Sequence, residues 1–196
     1  MTEDNGDARE ELLSRALAGE PAAFRSLVVA HQRSVYSLAL RMLSDRHKAE
    51  DLSQEVFLQL HRYLSSVESP AHLAFWLRKV TMNRAIDRLR REPRHETASL
   101  EEAAAVAAQG EEADPMLRRL LLSLIAELPP AARAVVLLRY QEDLDPTEIG
   151  RTLKMPVNTV KSHLKRSLAM LRERMQVGPE PGGRPHPRPN VRHRHE

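Results

Sequence analysis

Basic and amide side chains repeat along residues 157–174 at a spacing that places them on one face of a helix. That face carries Asn158, Lys161, Ser162, Lys165 and Arg166. The opposite face carries the apolar residues Val157, Val160, Leu164, Leu168 and Leu171. Polar and cationic donors suit DNA phosphates and base edges, whereas the apolar repeat predicts a buried stripe. The pattern favours a DNA-reading helix, and an ordinary amphipathic surface helix is the alternative.

The residues before this helix carry the signals of a shorter helix and a tight turn. Asp145 can cap its N-terminus, Pro146 suits its first turn, and Glu148 stands where a capping-box carboxylate reaches back. Gly150 lacks the side chain that would keep a crossing helix at a distance. Residues 145–171 therefore predict a helix-turn-helix.

Two further helices bring opposite charges into the first half of the chain. The helix predicted from about residue 46 to 64 buries an apolar face and turns Asp51, Gln54 and Glu55 outward. Taken alone, such a triplet is typical of a solvated helix face. The helix predicted from about residue 73 to 91 is strongly basic. Its cations are Arg78, Lys79, Arg84, Arg88, Arg90 and Arg91.

The composition predicts an all-α protein. The chain has 196 residues, of which 41% are hydrophobic and 4% aromatic, so it can bury one moderate core or two small ones. Two small cores fit better. Because Leu, Ala, Arg and Glu dominate and no alternation of strands with helices is visible, we expect both cores to be helical. The formal net charge of +3 hides separate acidic and basic blocks, which predicts both cationic and anionic partners.

Several classes of protein are disfavoured by what the sequence lacks. There is no cysteine, so no disulfide forms and a reducing cytoplasm suits the chain. The acidic N-terminus has no signal segment, and no apolar run is long enough for membrane insertion. No nucleophile with a base partner, phosphate-binding loop or paired metal-ligand spacing is present. We therefore expect neither an enzyme nor a cofactor or metal site.

Shifts in composition divide the chain into five segments. They are an N-terminal segment with a short helix at 1–21, a helical domain at 22–92, an acidic linker at 93–114, a helix-turn-helix domain at 115–175 and a Pro/Arg/His-rich tail at 176–196. The linker has almost no large aliphatic side chain and is predicted to be flexible, and the tail is predicted to be disordered. Asp45 and Asp114 are predicted to cap the helices that follow them.

Three segments resemble, in this order, motifs of bacterial RNA polymerase sigma factors of the extracytoplasmic-function (ECF) group, within the sigma-70 family. AEDLSQEVFLQL at 49–60 resembles the segment that docks on core polymerase. FWLRKVTMNRAIDRLRR at 75–91 resembles the helix that reads the minus-10 element. LPPAARAVVLLRYQEDLDPTEIGRTLKMPVNTVKSHLKRSLAMLR resembles the last domain, which reads the minus-35 element. The resemblance covers about 22–91 and 115–175, and implies two small helical domains, sigma regions 2 and 4.

The resemblance also implies which residues contact which partner. The core RNA polymerase set is Asp51, Gln54 and Glu55. The minus-10 set is Trp76, Arg78, Lys79, Asn83, Arg84 and Arg88. The minus-35 set is Asn158, Thr159, Lys161, Ser162, Lys165 and Arg166. Asn83 would lie at a base edge, cations would hold phosphates, and the loop from Ser65 to His72 would receive an unstacked base. An anti-sigma protein is a further expected partner.

Some of these residues have a second interpretation. Trp76 could stack on a base, but anchoring the core is the favoured role for at least one of Phe75 and Trp76. Lys154 stands where the family often has glycine, so the turn must accept a bulkier residue in a strained backbone. Asn158 replaces another frequent glycine and adds a polar group near the DNA.

The whole chain has a rival interpretation as well. A helix-turn-helix transcriptional regulator with an N-terminal helical sensing domain would use the same C-terminal domain. Such a regulator would not need the motifs between residues 49 and 91.

The linker and the tail also have more than one interpretation. The linker could be a plain spacer, an acidic strand in the polymerase channel, or both. The tail could bind metal or DNA, although a disordered basic end is the simpler interpretation.

Overall fold

Every regular element in the described part of the chain is a helix. The computed structural model describes residues 3–91 and 114–177. The helices are α1 (Glu3–Leu17), α2 (Pro21–Leu43), α3 (Arg46–Tyr63), α4 (Pro70–Arg91), α5 (Pro115–Glu127), α6 (Pro130–Tyr140), α7 (Pro146–Leu153) and α8 (Val157–Val177), with a short 3-10 helix at Leu64–Ser66. The predicted all-α fold is confirmed. Apart from Asp114, Gln176 and Val177, the predicted linker and tail lie outside the described residues.

Aspartate caps begin three of these helices, as the sequence predicted. Asp45 accepts a hydrogen bond from the backbone N–H of Lys48 at 3.0 Å, and Asp114 accepts one from Met116 at 2.9 Å. Asp145 caps α7 in the same manner. Because the first N–H groups of a helix have no intrahelical acceptor, these carboxylates fix where α3, α5 and α7 begin.

Two helices begin earlier than predicted. The segment EELLSRALA predicts a helix from Glu10, but α1 starts at Glu3, about two turns earlier. The residues before Glu10 carry no apolar periodicity that would mark them as helical in the sequence. α4 starts at Pro70, within the predicted loop from Ser65 to His72. The Ser69 hydroxyl accepts a hydrogen bond from the N–H of His72 at 3.1 Å, which caps the helix ahead of the predicted start. The connection between α3 and α4 is therefore shorter than expected.

α2 is the central helix of the first half and packs against α1, α3 and α4. The largest fully buried side chains here include Leu38, Leu40 and Met42 of α2, Leu52 and Leu60 of α3, and Leu73 and Met82 of α4. Each such apolar side chain stabilises the fold by roughly 1.5–3 kcal/mol relative to its exposed state. This packing fixes the angle between α3 and α4, the two helices that carry the predicted polymerase and minus-10 sets.

The first half of the chain (α1–α4) and the second half (α5–α8) share one buried core. The composition had suggested two small cores. α6 packs against α2 and α4, and α7 packs against α4. Leu138 of α6 and Ile149 of α7 are fully buried in the same apolar cluster as Leu38 and Met82. Helical periodicity identifies an apolar face but not the face that it meets, so this docking was not predictable from the pattern.

Polar groups also join the two halves. Arg133 of α6 is buried and donates a hydrogen bond through Nη1 to the carbonyl of Met42. That carbonyl lies in the last turn of α2, where helix carbonyls have no intrahelical donor and the helix dipole favours a cation. Gln141 donates through Nε2 to the hydroxyl of Ser37 at 3.2 Å. The second half thus docks on α2 mainly through apolar surface, and the polar contacts fix the register of that docking.

Candidate nucleic-acid interface

A complete capping box begins the predicted helix-turn-helix. Asp145 accepts hydrogen bonds from the N–H groups of Thr147 at 2.6 Å and Glu148 at 2.9 Å. The Glu148 carboxylate accepts one in return from the N–H of Asp145 at 2.8 Å. The N–H groups of Glu148 and Thr147 hold the pKa of Asp145 below its ordinary value, because they stabilise the ionised form. The cap predicted from the sequence is confirmed.

The turn between α7 and α8 depends on two backbone positions. Lys154 ends α7 in the left-handed region, with φ 53° and ψ 46°, and the N–H of Met155 reaches back to the carbonyl of Gly150 at 3.0 Å. A Cβ on Gly150 would lie 2.9 Å from the Met155 carbonyl oxygen. The strained backbone predicted at Lys154 is confirmed. Gly150 is needed because the turn folds back onto it, closer than a side chain would permit.

α8 presents the predicted basic face to solvent. Val160 and Leu171 are buried, and Leu164 and Leu168 are half-buried, so the predicted stripe faces the core. The exposed residues are Asn158, Thr159, Lys161, Ser162, Lys165 and Arg166. The structure therefore leaves the whole predicted minus-35 set free of the core.

The acidic face of α3 lies beside an open apolar groove. Asp51, Gln54 and Glu55 are all exposed, while the intervening Leu52 is buried. Gln54 borders a groove of about 770 Å³ between α2 and α3, which Phe24 and Leu58 also line. Leu58 is 65% exposed. This groove was not predictable from the sequence, because exposed apolar residues on a predicted amphipathic helix give no signal of their own.

Two of the predicted minus-10 arginines are bonded to α3. Arg84 donates to Gln59 Oε1 through Nε at 3.0 Å and Nη2 at 2.8 Å, and to Glu55 Oε2 through Nη1 at 2.9 Å. Arg88 donates through Nη2 to Glu55 Oε1 at 2.6 Å and through Nη1 to the Lys48 carbonyl at 3.1 Å. The predicted polymerase and minus-10 sets therefore meet at one carboxylate. Gln59, which lies within the 49–60 motif but was assigned to neither set, belongs to the same network.

The remaining polar members of the minus-10 set lie close to the second half of the chain. Asn83 is half-buried and donates through Nδ2 to the Lys79 carbonyl at 2.7 Å and to the Thr152 carbonyl of α7 at 3.4 Å. Arg78 pairs with Glu142 at 3.7 Å. Burial raises the pKa of Glu142, and the nearby Arg78 charge acts in the opposite direction without cancelling that effect.

Trp76 lies in the core. It is 6% exposed, and its ring stacks on Tyr63 with the centroids 5.0 Å apart. Neighbouring Phe75 is half-buried and lies under the Lys79 ammonium, 5.5 Å from the ring centroid. The core-anchor interpretation is supported for Trp76. Base stacking by this residue stays a prediction that would require its ring to leave Tyr63.

Two further findings concern only residues 3–91 and 114–177. No cluster of three or more His, Asp or Glu side chains is placed to hold a metal ion there. None of the helices described has both the length and the apolar character needed to cross a bilayer.

Comparison with known proteins gives the family. Residues 27–95 match sigma-70 region 2, and residues 118–171 match sigma-70 region 4. The ECF RNA polymerase sigma factor SigW of Bacillus subtilis is 30% identical over 171 residues, which cover 81% of this chain and 91% of SigW. The ECF RNA polymerase sigma factor SigM of Mycobacterium tuberculosis is 34% identical over 164 residues, covering 82% and 81% respectively. The chain belongs to the ECF RNA polymerase sigma factors.

The fold of this ECF sigma factor also has a counterpart among solved structures. CnrH in complex with the cytosolic domain of CnrY aligns with a TM-score of 0.63 at 22% identity, over 87% of this chain and 98% of the matched chain. The resemblance carried by the three sequence motifs is confirmed. An ECF sigma factor directs RNA polymerase to promoters, and this decides against the rival regulator with a sensing domain.

Proposed function

We propose that this ECF sigma factor uses three surfaces, one for each contact of promoter initiation, and that the polymerase and minus-10 surfaces adjoin at Glu55. The observation that supports this most directly is α8, where six exposed polar residues stand opposite a buried stripe behind a fully formed capping box. A helix held this rigidly can present side chains to a major groove without reordering its backbone. α8 would read the minus-35 element, the arginine-bearing face of α4 the minus-10 element, and α3 would bind core polymerase.

Within α8, Arg166 and Lys165 would have different tasks. The planar fork of Arg166 matches the O6 and N7 acceptors of guanine, so it would read a base. Lys165 carries a flexible point charge and would hold a phosphate. Asn158, Thr159, Lys161 and Ser162 supply further donors on the same exposed face.

On α4, Arg78, Lys79, Arg84 and Arg88 would hold the strand backbone, and Asn83 would read a base edge. Asn83 faces the Thr152 carbonyl, so reading a base requires the second half to leave α4. The same separation frees Arg78 from Glu142. Minus-10 recognition would therefore need the two halves to part.

On α3, Asp51, Gln54 and Glu55 would contact core polymerase, with the apolar groove beside Gln54 extending the contact. A polar rim around an apolar centre is typical of protein interfaces. An anti-sigma protein covering these surfaces would be the further partner. The chain would act in the cytoplasm as a specificity subunit, with no catalytic residue and no cofactor of its own.

Promoter binding by the reconstituted holoenzyme tests the assignment of α8. Arg166→Ala should cost about 1–3 kcal/mol on the preferred minus-35 sequence and less on other sequences, because a bidentate base contact is lost. Lys165→Ala is the matched control, since it removes one cation from the same face and should weaken all sequences alike. The measurement is affinity for a panel of minus-35 variants at several salt concentrations. An equal loss on every sequence for Arg166→Ala would make that residue a phosphate clamp.

A further inference from the structure

The carboxylate of Glu55 lies between two guanidinium groups. One oxygen accepts from Arg88 at 2.6 Å and the other from Arg84 at 2.9 Å. Carboxylates and phosphates bind the planar guanidinium fork in the same way, through charge-assisted hydrogen bonds. Glu55 therefore occupies donors that DNA phosphates would need.

Other groups of α3 complete the hold on these arginines. Gln59 Oε1 accepts two hydrogen bonds from Arg84, and the Lys48 carbonyl accepts one from Arg88. Most N–H donors of Arg84 are thus directed at α3 and not at solvent. The network is still accessible, since the side chains of Glu55, Arg84 and Arg88 are 45%, 41% and 24% exposed. A partner that binds α3 can reach it without unfolding the domain.

We propose that Glu55 couples polymerase binding to DNA binding. In the free chain its carboxylate holds Arg84 and Arg88, and when polymerase engages Glu55 the two arginines become available to promoter phosphates. This rests on the proposed assignment of α3 to polymerase and α4 to the minus-10 strand. Coupling between binding sites is reciprocal, so DNA that takes the arginines also leaves Glu55 free for polymerase.

The expected size of the coupling follows from the exposure of the network. Partly exposed ion pairs contribute little individually, and this network contains two of them together with neutral hydrogen bonds. Releasing both arginines should therefore change DNA affinity by roughly two- to tenfold. That range is modest but measurable.

Asp87 provides the matched control for a charge removed near the arginines. It lines the same polar groove on α4 as Arg84 and Arg88, and its side chain is exposed. Within residues 3–91 and 114–177, its carboxylate accepts no hydrogen bond from either arginine. Asp87→Asn therefore removes the same charge as Glu55→Gln without releasing a guanidinium.

The first experiment measures binding of the free full-length chain to a short single-stranded oligodeoxynucleotide of random sequence, across a salt series. Glu55→Gln should raise the affinity roughly two- to tenfold beyond the rise seen with Asp87→Asn, and should steepen the salt dependence. Gln59→Ala should also raise the affinity, and it does so without changing net charge. Circular dichroism checks that each variant keeps the wild-type helicity. Equal rises for Glu55→Gln and Asp87→Asn, or a loss of affinity in either α3 variant, would overturn the proposal.

The second experiment repeats the measurement with saturating core polymerase. The gain in DNA affinity that polymerase confers should be smaller for Glu55→Gln than for wild type, because its arginines are already released. An unchanged gain would contradict the coupling. The double variant Arg84→Ala, Arg88→Ala distinguishes a failure of the minus-10 assignment from a failure of the coupling. If it binds DNA in the holoenzyme as wild type does, the minus-10 assignment fails; if it binds weakly while Glu55→Gln behaves like Asp87→Asn, only the coupling fails.

Discussion

At the scale of single residues, Lys154 shows how a local conflict in the sequence is carried into the structure. It ends α7 with a left-handed backbone, a conformation that brings the Cβ of an L-residue close to the following carbonyl oxygen. The position was identifiable in advance because the sequence has lysine where the ECF family often has glycine. What the sequence could not supply was the reason the turn is kept, which is the hydrogen bond from Met155 to Gly150 across it.

Lys154→Gly should raise the free energy of unfolding by up to about 1.5 kcal/mol. Relief of the left-handed conformation is worth roughly 1–2 kcal/mol, and the greater entropy of glycine in the unfolded chain offsets about 0.5–1 kcal/mol of it. Urea denaturation would measure the change. Lys154→Ala also loses the lysine side chain but keeps its Cβ, so it should not stabilise the protein. Equal effects of Gly and Ala would show that the backbone is not the cause.

Asp145 should make the second half sensitive to acid. Its pKa is held below the ordinary value of 3.8, so its contribution is complete above that value and disappears as pH falls through the lowered pKa. The asparagine that Asp145→Asn introduces caps a helix at any pH, so the variant should match wild type at neutral pH and lose less stability below about pH 5. Unfolding curves across this range test it.

At the scale of elements, the helix-turn-helix was predictable almost residue by residue. Capping side chains, a proline in the first turn and an apolar stripe are local signals, and each is confirmed between Asp145 and Leu171. The pairing of Arg84 with Gln59 was not predictable, because the two residues are 25 positions apart and lie on different helices. Local physics specifies where a helix starts, whereas contacts between helices depend on packing that a single sequence does not display.

Gly150→Ala should destabilise the protein by about 1–3 kcal/mol. The new Cβ would lie 2.9 Å from the backbone oxygen of Met155, and backbone cannot rotate away as a flexible side chain can. Thermal unfolding of Gly6→Ala supplies the comparison, since nothing lies within 4 Å of a Cβ at Gly6 in α1. That second variant should be stabilised by roughly 0.5–1 kcal/mol, because alanine is the better helix former. The same direction for both would refute the steric explanation.

At the scale of the whole molecule, two helical halves are joined by a single core through α2, α4 and α6. The sequence predicted the halves correctly from the match of three motifs, but it did not predict their docking. Leu138 and Val135 carry the same apolar signal whether their face meets a neighbour in their own half or a helix of the other half. The polar partners across the junction, such as Gln141 with Ser37, are 104 residues apart and have no local pattern.

Glu142→Gln should stabilise the docked arrangement at neutral pH, although it removes an ion pair with Arg78. Burial raises the pKa of Glu142, so its ionised form is less favourable here than in water despite the nearby guanidinium. Because the pKa is raised, the wild-type protein regains stability as pH falls and Glu142 becomes protonated. At about the ordinary value of 4.5 the stability advantage of Glu142→Gln should vanish. Unfolding free energies at several pH values measure both. A variant less stable than wild type at pH 7 would show that the ion pair dominates.

The docking of α7 on Asn83 has a consequence for how the protein finds its target. A bacterial chromosome offers on the order of a million or more competing nonspecific sites to any basic protein. The amide of Asn83, the proposed base reader, lies against the Thr152 carbonyl of the same chain, so this part of α4 can engage such sites only in the fraction of time that the two halves are apart. Less of the protein is then lost to random DNA. More of the protein stays unbound, and core polymerase can then recruit it.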